Sequence, residues 1–136
     1  MSVIKKITSE EGFRSKPYEC TEGVWTFGHG FTSISEDESR VVLKIKVEKI
    51  LSYLNHKNNH LPYRYKKLPL KAREVICDMT YQLGRTGMLN FRRMHKAIAN
   101  KDWNKASEEL LDSLYAKQTP SRANRNAEML RKCKFK

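Results

Sequence analysis

Residues 11–30 read EGFRSKPYECTEGVWTFGHG, and within them the texture of the chain changes twice. Upstream, Val3, Ile4 and Ile7 recur at helical spacing, which predicts a short helix over residues 2–11 that stops at Glu11–Gly12. Glu11 then stands at the C-terminal end of a helix, where the dipole disfavours a charged carboxylate and so suits a proton donor. From Lys16 onward Pro17 and Gly23 punctuate short stretches, and Val24–Trp25–Thr26–Phe27 is β-prone. The simplest reading is a hairpin turning at Thr21–Glu22–Gly23. Glu11, Cys20 and Thr26 have the spacing E-x8-C-x5-T. A helix end, an outgoing strand and a returning strand are thereby expected to bring three polar side chains to one edge.

Beyond the hairpin, Ser35 followed by Glu38 has the form of a capping box. Val41, Val42, Ile45, Leu51 and Leu54 extend from it as one long amphipathic helix over residues 35–55. Residues 56–68 carry Asn, His, Pro and basic side chains and read as an irregular loop. Four helices are expected after Pro69: 72–83, 91–99, 103–111 and 120–132. Gly84 and Gly87 should break the chain between the first two, Asp102 should cap the third, and Pro120 suits the first turn of the fourth. The fold class is α+β and mostly helical. A small hairpin lobe spans residues 12–34, a connecting helix 35–55, and a helical lobe 69–136 together with the N-terminal helix 2–11.

The 136 residues suffice for one domain with one core. The net charge of +12 draws the protein toward polyanions, whether nucleic acid, anionic membrane or acidic wall polymers, and does not choose among them. Cys20, Cys77 and Cys133 are odd in number and widely spaced, which fits neither a disulfide framework nor a metal site and points to a reducing cytoplasm. His29, His56, His60 and His95 lack ligand spacing, so no metal is expected. The N-terminal residues contain no apolar run of signal-peptide length.

Cutting a glycosidic bond needs an acid to protonate the leaving oxygen and a second group to manage water on the opposite sugar face. Glu11, Cys20 and Thr26 are candidates for this chemistry, although so short a pattern arises often by chance. Further segments add to it. Thr21-Glu22-Gly23 with Thr26-x-Gly28-x-Gly30, Tyr81-Gln82-Leu83-Gly84-Arg85-Thr86-Gly87, and Trp103 fifteen residues before Gln118-Thr119-Pro120-Ser121-Arg122-Ala123-x-Arg125 follow one another in order. With Ile34-Ser35-Glu36-Asp37-Glu38 they resemble the phage-type lysozymes of glycoside hydrolase family 24 over nearly the whole chain.

The resemblance implies a lysozyme-like fold and a muramidase that cleaves, with inversion, the β-1,4 bond between N-acetylmuramic acid and N-acetylglucosamine. It implies Glu11 as general acid, Cys20 as the group assisting water and Thr26 as the side chain holding that water. Arg122 matches a position that pairs with the catalytic glutamate. Gly30, Tyr81 and Gln82 match sugar-contacting positions, as do Thr32, Met94 and Glu109, where the residue types depart from the best-known member. No cofactor is implied. The expected partner is peptidoglycan, met by a monomer that does not bind nucleic acid, with an anionic membrane or lipopolysaccharide as a further surface for the basic tail Arg131–Lys136. Without an export signal, such an enzyme would wait in the host cytoplasm for a holin to open the membrane and then act in the periplasm.

The departures carry information. Cys20 stands where Asp is commoner. A free thiol titrates near ~8.5 and is a poorer base at neutral pH, whereas a stabilised thiolate could attack the sugar directly and give retention. Two other functions compete with hydrolysis. A lytic transglycosylase needs one acid and no activated water, and leaves an anhydro sugar end. A basic nucleic-acid-binding protein would account for the charge, but the cations are scattered and no binding signature accompanies them. Simpler readings also stand beside each residue: Glu11 as a solvated helix end, Cys20 as an inert thiol, Thr26 as a strand former, Tyr81 as core, Arg122 as an exposed ion pair. Trp25 and Trp103 are read as packing residues.

Overall fold

The computed structural model describes residues 2–19 and 23–134; Cys20, Thr21 and Glu22, and with them the expected hairpin turn, lie outside the described residues. By its contacts the chain divides into two compact units, residues 1–43 and 44–136. The class is α+β and mostly helical, as the sequence suggests.

The first unit holds α1 (Ser2–Glu11), β1 (Arg14–Glu19), β2 (Trp25–Gly28) and the start of α2 (Glu36–Leu54). β1 and β2 form a two-stranded antiparallel sheet that pairs Arg14 with Gly28, Tyr18 with Thr26 and Glu19 with Trp25. Strand alternation puts Thr26 on one face and Trp25 on the other. Thr26 is buried, whereas Trp25 is 60% exposed, so Trp25 is not the packing residue the sequence suggested. Residues 28–30 turn tightly, closed by reciprocal backbone hydrogen bonds of 2.8 Å between Phe27 and Phe31. α2 begins at the capping box expected from Ser35. The Ser35 amide donates to Glu38 Oε1 at 2.9 Å, and the Glu38 amide donates to Ser35 Oγ at 3.1 Å. The Ser35 amide first, and the Ser35 side chain second, hold the Glu38 carboxyl below its ordinary value.

The second unit is helical. It contains the end of α2, a 3-10 turn (Tyr65–Lys67) inside the expected loop, α3 (Leu70–Leu89), α4 (Arg92–Ala99), α5 (Trp103–Leu111), α6 (Leu114–Gln118) and α7 (Pro120–Arg131). Buried residues recur at i, i+3, i+4 and i+7: Trp103, Ala106, Ser107 and Leu110 on α5, and Ala123, Asn126, Ala127 and Leu130 on α7. These stripes let α5 pack against α4 and α7 around one core. Asp102 caps α5 by accepting the Lys105 amide at 3.1 Å.

Two expectations are corrected here. α3 does not end before Gly84. It kinks at Gly84 (φ 78°, ψ 171°) and runs on through Gly87 to Leu89, because neighbouring backbone bonds re-form past one left-handed residue. α6 lies in a stretch to which the sequence assigns no helix. Ser113 starts it by accepting the Ala116 amide at 3.2 Å while its own hydroxyl donates to Leu110 O at 2.6 Å, and Tyr115 anchors it in the core. Cys77 and Cys133 are free, and burial pushes both thiols above their usual value.

Candidate active site

Glu11 is the last residue of α1, whose end is fixed from two directions. Gly12, at φ 66°, leaves the helical conformation while its amide still donates to Thr8 O at 2.9 Å. Its carbonyl accepts a 2.6 Å hydrogen bond from His29 Nδ1 on the 28–30 turn. The His29 ring also lies 5.4 Å from that of Phe13. The turn is thereby tied to the helix end, and His29 has a positioning role that sequence reasoning did not assign.

The turn brings Gly30 against Glu11. A Cβ placed on Gly30 would stand 2.7 Å from Glu11 Cδ and would collide with Glu11 Oε2. Gly30 also holds φ 78°. Both facts call for glycine: the conformation is the left-handed one, and the space is filled by the carboxyl group. Thr26, four residues earlier, is buried, and its hydroxyl reaches Tyr18 O at 3.5 Å. So long a contact engages the hydroxyl only weakly. Thr32 is exposed just beyond the turn, and Cys20 lies outside the described residues.

In the second unit the expected sugar-contact residues fall into two clefts. Tyr81, Gln82 and Arg122 line one of about 600 Å³ together with Lys46, Lys49 and Ile50. Gln82 Oε1 is buried there with no hydrogen-bond partner among the described residues, an acceptor suited to a sugar hydroxyl or acetamido N–H. Arg122 is held by Asp78 in a two-pronged ion pair: Nε donates to Oδ2 at 3.0 Å and Nη2 donates to Oδ1. Asn126 donates to the same carboxylate at 3.0 Å and to the Tyr115 hydroxyl at 3.1 Å. Burial would push the Asp78 carboxyl up, but the hydrogen bonds from Arg122 and Asn126 and the charges of Arg122 and Arg125 outweigh it and hold the group low. Sequence reasoning missed Asp78 and Asn126. The available signal was spacing: Asp78 precedes Tyr81 by three and Gln82 by four on α3, and Arg122 precedes Asn126 by four on α7.

Met94 and Glu109 line a second cleft of about 640 Å³ with Phe91, Tyr115 and Gln118. Met94 is fully buried in the core, and the half-buried Glu109 pairs with Lys105 at 3.2 Å. Among the described residues no group of three or more His, Cys, Asp or Glu side chains could hold a metal ion.

Known proteins resemble the chain over nearly its whole length. It is 29% identical to "Probable T4-type lysozyme 1" of Dictyostelium discoideum over 91% of this chain and 90% of that one. It is 25% identical to "Probable T4-type lysozyme 2" of the same organism over 85% of each. It is 26% identical to an "Endolysin" of Acyrthosiphon pisum secondary endosymbiont phage 1, over 74% of this chain and 69% of that protein. The phage lysozyme family matches residues 8–128, a span that contains Glu11, the hairpin and both clefts. By fold and by family match the chain therefore belongs to the phage lysozymes, glycoside hydrolases that act on peptidoglycan.

Proposed function

We propose that this lysozyme is a muramidase that cleaves the β-1,4 bond between N-acetylmuramic acid and N-acetylglucosamine, with Glu11 as its general acid. The observation that carries the reading is the seating of the Glu11 carboxyl at a helix end directly against Gly30. The left-handed, side-chain-free backbone at Gly30 leaves room for the Glu11 carboxyl at the helix end, where a proton donor is wanted. In the proposed step Glu11 gives its proton to the glycosidic oxygen as the C1–O bond breaks. A water held by Thr26 adds to C1 from the other face as Cys20 assists removal of its proton, which inverts the anomeric centre.

Tyr81 and Gln82 are proposed to contact the glycan, with Gln82 Oε1 as an acceptor. Gly30, Thr32 and Glu109 are assigned to the same substrate, whereas Met94 packs in the core; Arg122, already anchored by Asp78, is assigned to support Glu11. The protein acts as a monomeric single-domain enzyme, with the basic tail Arg131–Lys136 as a contact for anionic membrane or lipopolysaccharide. The phage relative's printed name, "Endolysin", supports a role in lysis from a cytoplasmic pool released through a holin. Cells expressing the protein should then stay intact until the inner membrane is permeabilised.

Mass spectrometry of fragments from purified peptidoglycan tests the chemistry. Muramic acid with a reducing end is expected. An anhydro end would mean transglycosylation, and a retained anomer in the first product would move Cys20 from base to nucleophile.

A further inference from the structure

From residue 49 to residue 73 the chain carries seven Lys and Arg residues and no Asp or Glu. Two clefts in the second unit concentrate this charge. One, of about 650 Å³, is lined by Lys49, Ser52, His56, Asn58, His60 and Arg85, along with Tyr53 and Leu89. The other, of about 670 Å³, presents Lys57, Arg64, Lys66 and Lys67 and shares His56 with the first. Among the described residues neither cleft has a carboxylate in its lining. Glu48 and Glu74 are the acids nearest in sequence, one at each end of the stretch.

The donors are arranged rather than merely numerous. Arg85 is stacked on the Tyr53 ring, its Cζ 4.3 Å from the centroid, and the Tyr53 hydroxyl donates to Asn59 O at 2.8 Å. The guanidinium thus sits on a ring that is itself fixed. His56 Nδ1 accepts the Asn58 amide at 3.1 Å, which leaves Nε2 as the donor nitrogen of that imidazole. His60 is held at φ 66°.

We propose that this double cleft is a binding site for phosphate groups carried on a bacterial envelope carbohydrate, separate from the residues assigned to bond cleavage and sharing only Lys49 with the Tyr81–Gln82 cleft. Concavity and neutral donors such as Ser52 and Asn58 favour discrete oxyanions over a flat bilayer, and the lining offers only half-buried Leu61 and Leu89 and the exposed Pro62 for insertion. Stacking of nucleobases is disfavoured, since Arg85 already occupies a face of the Tyr53 ring, the half-buried Tyr63 is packed against and bonded to His95, and Tyr65 is buried.

The test is calorimetric titration of the full chain with inorganic tripolyphosphate and with poly(glycerol phosphate). The same protein is titrated with neutral vesicles, with vesicles containing phosphatidylglycerol, and with a short DNA duplex. A Lys57→Gln/Lys66→Gln/Arg85→Gln protein with a parent-like thermal midpoint is compared with Lys5→Gln/Lys96→Gln/Lys117→Gln, which loses the same charge at exposed positions outside every cleft described above. The cleft variant should bind the two phosphate probes about tenfold or more weakly and the control variant within about twofold of the parent. Equal losses in the two variants would reduce the effect to net charge and overturn the site. So would absence of phosphate binding, tighter binding to the duplex than to poly(glycerol phosphate), or a loss of binding to the anionic vesicles in the cleft variant as large as its loss on the phosphate probes. Because binding is read without turnover, failure here leaves the Glu11 chemistry standing, and the converse also holds.

Discussion

The two units of the chain are built on opposite principles. In residues 44–136, helix stripes interlock around Leu54, Ile76, Met79, Ile98, Leu110 and Leu130, all essentially without exposure. In residues 1–43 the one buried side chain among those described is Thr26, and α1 buries none of its residues. A chain of some forty residues cannot bury enough apolar surface to build a strong core of its own. The helical unit therefore supplies the stability, while the hairpin unit is held by local devices: a capping box, a two-stranded pairing and the His29 link to Gly12. The acid assigned to chemistry sits on the lightly packed unit.

That contrast can be broken by mutation. The largest expected effect is Glu11→Gln. Its rate on peptidoglycan should fall by about 10²–10⁴-fold with an unchanged melting temperature, as turbidity loss and calorimetry would record. Next is Leu110→Ala in the helical core, which should cost about 2–5 kcal/mol in denaturant unfolding. The activity of the fraction that remains folded should stay near the parent's. Gly30→Ala should lower the rate by about tenfold, because the added methyl displaces the Glu11 carboxyl and strains the turn, while stability drops by only ~1 kcal/mol. A parent-like rate for Gly30→Ala would show that the close Glu11–Gly30 contact does not matter to turnover.

The smallest effect concerns pH. His95 is buried in the helical unit, with Nδ1 bonded to the Tyr63 hydroxyl at 2.8 Å and Nε2 to Met88 O at 2.8 Å. Burial holds the imidazole below its ordinary 6.5, against a smaller opposing pull from the Met88 carbonyl. As pH falls past 6.5 the unfolded chain takes up a proton that the folded chain refuses. The stabilisation is whole above 6.5 and is lost as pH drops toward the folded value. Urea unfolding at about pH 7.5 and about pH 5.5 should show this loss, and His95→Gln should shrink it.

Much of this organisation was legible in the sequence because it rests on local chemistry. Ser35 and Glu38, Asp102, Pro120 and the stripes of α5 and α7 announce their elements through spacing alone. Glu11 at a helix end followed by a glycine-punctuated hairpin was equally plain. What escaped depends on tertiary context. Trp25 looks like a core residue until strand pairing turns it away from Thr26. Gly84 looks like a helix stop, yet the helix resumes beyond it. Asp78 was invisible because its significance is the Arg122 guanidinium, 44 residues away in sequence. His29, similarly, reads as an unassigned imidazole until the turn carries it to Gly12.

The claim that Glu11 donates a proton to the leaving oxygen is tested most directly by varying the leaving group. Glu11→Gln and the parent should be compared on purified peptidoglycan and on an aryl glycoside of the same sugar whose phenol departs without protonation. A general acid is needed only where the departing oxygen must be protonated. The rate of the Gln variant should collapse on peptidoglycan and stay close to the parent's on the aryl glycoside. Equal losses on both substrates would contradict the assignment.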